Sequence, residues 1–69
     1  MTTLSICVNG VGCQVDAGTT LSAVVARWCP STDGVAVARN GEVVPKSAWT
    51  RTALSEDDRV EIVTATAGG

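Results

Sequence analysis

Few groups in this 69-residue sequence can do chemistry: the thiols of Cys7, Cys13 and Cys29, and the carboxylate that closes the run Ala65-Thr66-Ala67-Gly68-Gly69. There is no histidine, which removes the commonest general acid–base and the commonest metal ligand together. The cysteine spacing contains no C-x-x-C, and a structural zinc site wants four ligands. An odd cysteine count in a short chain also argues against a disulfide framework. The sequence therefore predicts reduced thiols and no metal. No base partner is visible for Cys29, and no neighbouring cation or helix N-terminus for Cys7, so neither reads as an activated nucleophile. The Gly69 carboxylate remains. Its ordinary pKa of about 3.5 leaves it ionised at neutral pH. Two glycines carry no Cβ, so this ending can enter a slot that any side chain would block. Five extended residues reach roughly 17 Å, far enough for another enzyme to activate the carboxylate with ATP while the globule stays outside. The plainer reading of the same ending is a frayed terminus or an appended scar. The rest of the chain has to decide.

Hydrophobic residues make up 45% of the chain and charged residues 17%, which suits one small folded domain near the lower size limit for a self-sufficient core. Arg27, Arg39, Lys46, Arg51 and Arg59 are well separated and the net charge is -2, which argues against phosphate-backbone binding. Apolar runs are only a few residues long, which predicts no transmembrane helix or signal peptide and a soluble, cytoplasmic protein.

The elements follow from periodicity. Leu4, Ile6 and Val8 alternate with Thr3, Ser5 and Cys7, then Asn9-Gly10 signals a two-residue hairpin turn. Val11, Cys13 and Val15 continue the alternation. A two-residue turn pairs Val8 with Val11, Ile6 with Cys13 and Leu4 with Val15 on one face, so Cys7 points away from Cys13 and the two cannot bridge. Thr19 or Thr20 caps a helix of two to three turns whose stripe is Leu21, Val24, Val25 and Trp28, ended by Pro30. The hairpin device then repeats: Val35 to Arg39, Asn40-Gly41, and Glu42 to Val44. This register places Arg39 opposite Glu42 as an exposed pair worth a few tenths of a kcal/mol, at about the level of any surface ion pair. Pro45 ends the strand, Lys46 to Trp49 forms a short helical turn whose indole folds back on the core, and Leu54 is a second anchor. After the acidic turn Ser55 to Asp58, a last strand runs from Arg59 to Ala65, with Val60 and Ile62 inward and Glu61, Val63 and Ala65 outward. One helix covering a sheet of about five strands is a two-layer α+β domain. The last strand belongs in the middle, parallel to the first: the ubiquitin-like β-grasp, with residues 1–65 as the globule and 66–69 as a flexible tail.

The run Asn40-Gly41-Glu42-Val43-Val44-Pro45-Lys46-Ser47-Ala48-Trp49 resembles the Asn-x-x-Ile/Val-Val-Pro-Arg/Lys-x-x-Trp signature of the ThiS-type sulfur carriers of thiamine biosynthesis. The acidic turn, the strand Arg59 to Val63 and the closing Gly68-Gly69 are similar too. Val8-Asn9-Gly10 and Ala17 to Leu21 match more loosely. Two features depart from the pattern: the three cysteines, and Thr66 where a larger apolar residue is common. The resemblance implies that a ThiF-type enzyme adenylates the Gly69 carboxylate with ATP. Sulfur from a cysteine-desulfurase route then makes a thiocarboxylate, and thiazole synthase consumes it. The chain would be a carried substrate and not an enzyme, with no bound cofactor, its tail residues Ala67, Gly68 and Gly69 entering the partners' active sites.

Docking would then use the globule. The outward sheet face carries Ala36, Ala38, Val43, Val63 and Ala65, small or apolar residues where charge would be the easy choice, although isolated surface apolars are normal. Three other readings stand beside this one. A carrier of the molybdopterin synthase small-subunit type is disfavoured by Val44-Pro45…Trp49. A ubiquitin-like protein modifier would leave adducts on lysines. A small redox enzyme would have to work through Cys7.

Overall fold

A computed structural model of the chain describes residues 2–29 and 33–64. Strand β1 (Thr3–Val8) turns through Asn9-Gly10 into β2 (Val11–Asp16), and helix α1 (Leu21–Trp28) follows. Strands β3 (Val35–Arg39) and β4 (Glu42–Val44) form the second hairpin. A 3₁₀ segment over Lys46–Arg51 then leads to β5 (Arg59–Thr64). The sheet order is β2-β1-β5-β3-β4, with β1 and β5 parallel and the other pairs antiparallel. The last strand is therefore central, and the fold is the ubiquitin-like β-grasp.

Both hairpins have the expected two-residue turns. Asn9 and Gly10 sit at φ 51° and 82°, Asn40 and Gly41 at 52° and 86°, the left-handed pair that matches the twist of the flanking strands. The registers are Val8↔Val11, Ile6↔Cys13 and Leu4↔Val15 in the first, and Val37↔Val44, Ala38↔Val43 and Arg39↔Glu42 in the second. One face of this sheet packs on α1, which buries Leu21, Val24 and Val25 against Ile6, Val8, Val37 and Val60. Each such side chain contributes about 1.5–3 kcal/mol on full burial.

Thr20 is the N-cap: its Oγ1 accepts from Ala23 N at 3.3 Å. The Leu21 amide, which a helix start leaves without an internal partner, donates to Thr52 O at 2.8 Å. The stripe is shorter than its spacing predicts. Trp28 is 42% exposed because the helix ends there, at the rim of the sheet, with Cys29 already extended. The other tryptophan closes the opposite end of the core. Trp49 is 3% exposed and its Nε1 donates to Val44 O at 2.9 Å, so the indole covers the core and also satisfies the carbonyl before Pro45. Leu54 is buried as the second anchor.

Candidate functional site

In the sequence, the candidate carboxylate of Gly69 follows β5, the central strand of the sheet. Val60 and Ile62 hold it to the core, while Arg59, Glu61 and Val63 face outward. On one flank it pairs with β3 along its whole length, from Arg39↔Val60 to Val35↔Thr64. On the other, β1 meets it only at Cys7↔Arg59 and Val8↔Val60. Ala65, Ala67, Gly68 and Gly69 lie outside the described residues, so the tail and the end of the proposed patch are expectations there.

Four of the five patch residues are described, and the strand registers bring them together on the face opposite the helix. Val43 of β4 is opposite Ala38 of β3, and Ala36 of β3 is opposite Val63 of β5. Val43 is 76% and Val63 61% exposed, Ala36 is exposed and Ala38 half-buried. The register also sets Glu61 opposite Ala38, which gives the apolar patch a charged border that alternation alone did not join to it. Beyond Glu61, a shallow pocket of about 430 Å³ is lined by Cys7, Gly10, Arg59, Val60 and Glu61.

All three thiols are free as predicted, but the cation that sequence reading did not find near Cys7 is there: the parallel β1–β5 register sets Arg59 beside it, a neighbour distant in the chain that local sequence does not show. Cys13 and Cys29 pack against the core as partly buried side chains. Cys7 is half-buried on the outward face beside Arg59. Among the described residues no cluster of potential ligands could hold a metal ion, and no helix is long and apolar enough to cross a membrane.

The acidic turn holds what sequence reasoning missed. Arg39 is opposite Glu42 in the ladder, but its guanidinium pairs with Asp58, Nε to Oδ2 at 2.8 Å. Burial decides it: Glu42 shares the face of Arg39 but is exposed on the outer strand β4, whereas Asp58 is 4% exposed. Asp58 also accepts from Ser55 N at 2.7 Å and from Asn40 Nδ2 at 3.0 Å. Burial pushes its pKa up, but the bonds from Asn40, Ser55 and Arg39, with the Arg39 charge, outweigh it and hold the carboxyl below its ordinary value. Three acids in succession read as a solvated turn. Only a partner basic residue at the core-facing end of β3 signalled otherwise.

Comparison with known proteins agrees with this geometry. The ThiS family model matches residues 6–69. A thiazole synthase of Paramagnetospirillum magneticum is 33% identical over 66 residues, which is 96% of this chain and 20% of that protein. The chain thus spans about a fifth of the curated relative it matches. A crystal structure of a thiamine biosynthesis protein (ThiS) from Geobacter metallireducens superposes with a TM-score of 0.78 at 29% identity, covering 96% of this chain and all of that one.

Proposed function

The chain belongs to the ThiS family, and on that premise we propose that it is a sulfur carrier of thiamine biosynthesis whose carrying group is the carboxyl of Gly69. The observation that supports this most directly is that the family match runs through Gly68 and Gly69. A carboxylate is a poor electrophile. Adenylation by a ThiF-type partner, using ATP, places AMP on the carbonyl carbon as a leaving group and releases pyrophosphate. Sulfur from a cysteine-desulfurase route, carried as a persulfide, attacks that carbon and displaces AMP, and a thiol reductant then cleaves the acyl disulfide to leave the thiocarboxylate and a disulfide. Thiazole synthase takes that sulfur, and the resemblance of nearly the whole chain to part of a thiazole synthase supports this choice of acceptor.

In this scheme the globule is a handle and the tail is the substrate. The free thiols have no step assigned to them. The missing Cβ atoms at Gly68 and Gly69 let a partner's active site close around the backbone. The face made by Ala36, Ala38, Val43 and Val63, extended by Ala65, docks on the activating enzyme and the synthase in turn. The test is top-down mass spectrometry after incubation with ATP, the activating enzyme and a sulfur donor. Exchange of oxygen for sulfur adds nearly the mass of one oxidation, so fragmentation must place it. A change at Gly69 that vanishes when Gly69 is deleted supports the carrier. A plain carboxylate beside a demonstrably active partner refutes it.

A further inference from the structure

The two Asn-Gly turns do more than reverse the chain. Each lends its asparagine amide to β5. At the start of the strand, Asn40 Oδ1 accepts from Arg59 N at 2.9 Å while its Nδ2 donates to Asp58. At mid-strand, Asn9 bonds Ile62 in both senses: Oδ1 accepts from Ile62 N at 2.7 Å and Nδ2 donates to Ile62 O at 3.2 Å. The amide of Asn9 thus does for Ile62 what a peptide group of a neighbouring strand would do. It is needed because β1 stops at Val8, where Asn9 turns away after its own N–H has bonded Val60 O at 2.9 Å. Among the described residues, the β1 flank of β5 has no strand ladder past Val60, and β3 alone continues the pairing to Thr64.

We propose that Asn9 is a positioning residue for the carrier reaction: its side-chain amide fixes the direction in which β5 leaves the sheet and so presents the tail to the activating enzyme. This rests on the carrier reading above. A tail that leaves from a frayed β5 still reacts once seated, but fewer molecules offer it in register. The loss therefore falls on KM and spares kcat.

Two variants separate this from simple stability. Asn9→Asp tolerates the left-handed turn conformation and keeps the acceptor for Ile62 N, but sets a carboxylate oxygen against Ile62 O. Asn9→Gly also keeps the turn and removes both bonds. The measurements are amide exchange by NMR on the free protein and steady-state adenylation with the activating enzyme. Asn9→Gly should speed exchange of the Ile62 amide about tenfold more than that of Val37, the size expected for one hydrogen bond. Both variants should raise KM about fivefold at unchanged kcat, the signature of weakened binding. Ile62 exchange that stays at the wild-type rate would show that Asn9 does not hold the strand. Faster Ile62 exchange with an unchanged KM would leave Asn9 a purely structural role and overturn the proposal. A wild-type chain that takes no sulfur at Gly69 sinks the carrier reading instead, and the exchange rates, which need no partner, tell the two failures apart.

Discussion

Arg39 and Asp58 join the second hairpin to the turn before β5, with Arg39 Nε donating to Asp58 Oδ2 at 2.8 Å. The carboxylate is almost wholly enclosed, yet among the described residues no buried side-chain polar atom is left without a partner. The pair is asymmetric, since the Arg39 side chain keeps 29% of its surface and Asp58 only 6%. Its worth therefore lies less in Coulomb attraction, which water screens on the Arg39 side, than in the three donors that Asp58 organises. Those donors come from β3, from the Asn40-Gly41 turn and from Ser55. A single carboxylate thus sets the spacing between the β3–β4 hairpin and the entry to β5.

Removing that carboxylate should be costly for one residue in so small a domain. Asp58→Ala leaves the Ser55 N–H and the Asn40 amide without their acceptor, and a lost charged hydrogen-bond acceptor costs about 1.5–3 kcal/mol. Urea unfolding should show a lower midpoint at an unchanged slope. Arg39→Ala, whose guanidinium is partly solvated, should cost less. A smaller loss for Asp58→Ala than for Arg39→Ala would contradict the assigned order.

Acid should act through the same group. The folded-state pKa of Asp58 is lowered, so the unfolded chain binds its proton first as pH falls. The stability it contributes is complete above the unfolded value of about 3.9 and declines below it. It is gone once pH has passed the depressed folded value. Asp58→Asn should flatten this part of the stability–pH curve between neutral pH and pH 3, measured by chemical unfolding at each pH. An unchanged curve would show that other carboxylates govern acid unfolding.

The strand order, both hairpin registers and most of the core were legible because alternation and two Asn-Gly turns each impose a period of two, and the two halves of each hairpin agree. The outward apolar face was legible for the same reason: Ala36, Ala38, Val43 and Val63 all fall on the out-of-phase positions. What escaped was decided by side chains reaching across elements. Nothing local distinguishes Asp58 from Asp57, and burial selects between them only after β3 places Arg39. Asn9 and Asn40 were legible as turn formers, but their amides find β5 only once the sheet order exists. Trp28 fitted the helical stripe, but α1 ends with it and the ring is left 42% exposed.

The two tryptophans should report different surroundings. Trp49 is 3% and Trp28 42% exposed. Trp28→Phe should leave a blue-shifted emission that acrylamide barely quenches, and Trp49→Phe a red-shifted one that it quenches readily. Trp49→Phe should also destabilise by about 1–2 kcal/mol, since it removes the indole bond to Val44 O and shrinks a buried ring, whereas Trp28→Phe should stay within about 0.5 kcal/mol. Equal quenching of the two variants would disprove this placement of the rings.

Backbone conformation alone should set the cost at the second turn. A Cβ at Gly41 would meet nothing within 4 Å, but its φ is 86°. Gly41→Ala should therefore lose about 1 kcal/mol through strain, with no packing penalty. A neutral result in urea unfolding would mean that the turn relaxes to another type.

The proposed docking face offers the sharpest separation of folding from function. Val63 points outward from the central strand, so Val63→Lys removes little burial and should change stability by less than about 1 kcal/mol, the span of strand preferences. Introduced beside Ala36, the same charge would have to be desolvated whenever the sheet face meets a partner, and an unpaired charge in an interface is expensive. Sulfur loading at Gly69 should then fall at least about tenfold, the loss that each 1.4 kcal/mol of interface energy brings. Val11→Lys is the matched control. Val11 is 53% exposed at the far hairpin, in an edge strand away from the patch, and its substitution should leave loading at the wild-type rate. Equal losses in the two variants would point to a general effect of positive charge. Wild-type loading by Val63→Lys would remove this face from the docking surface.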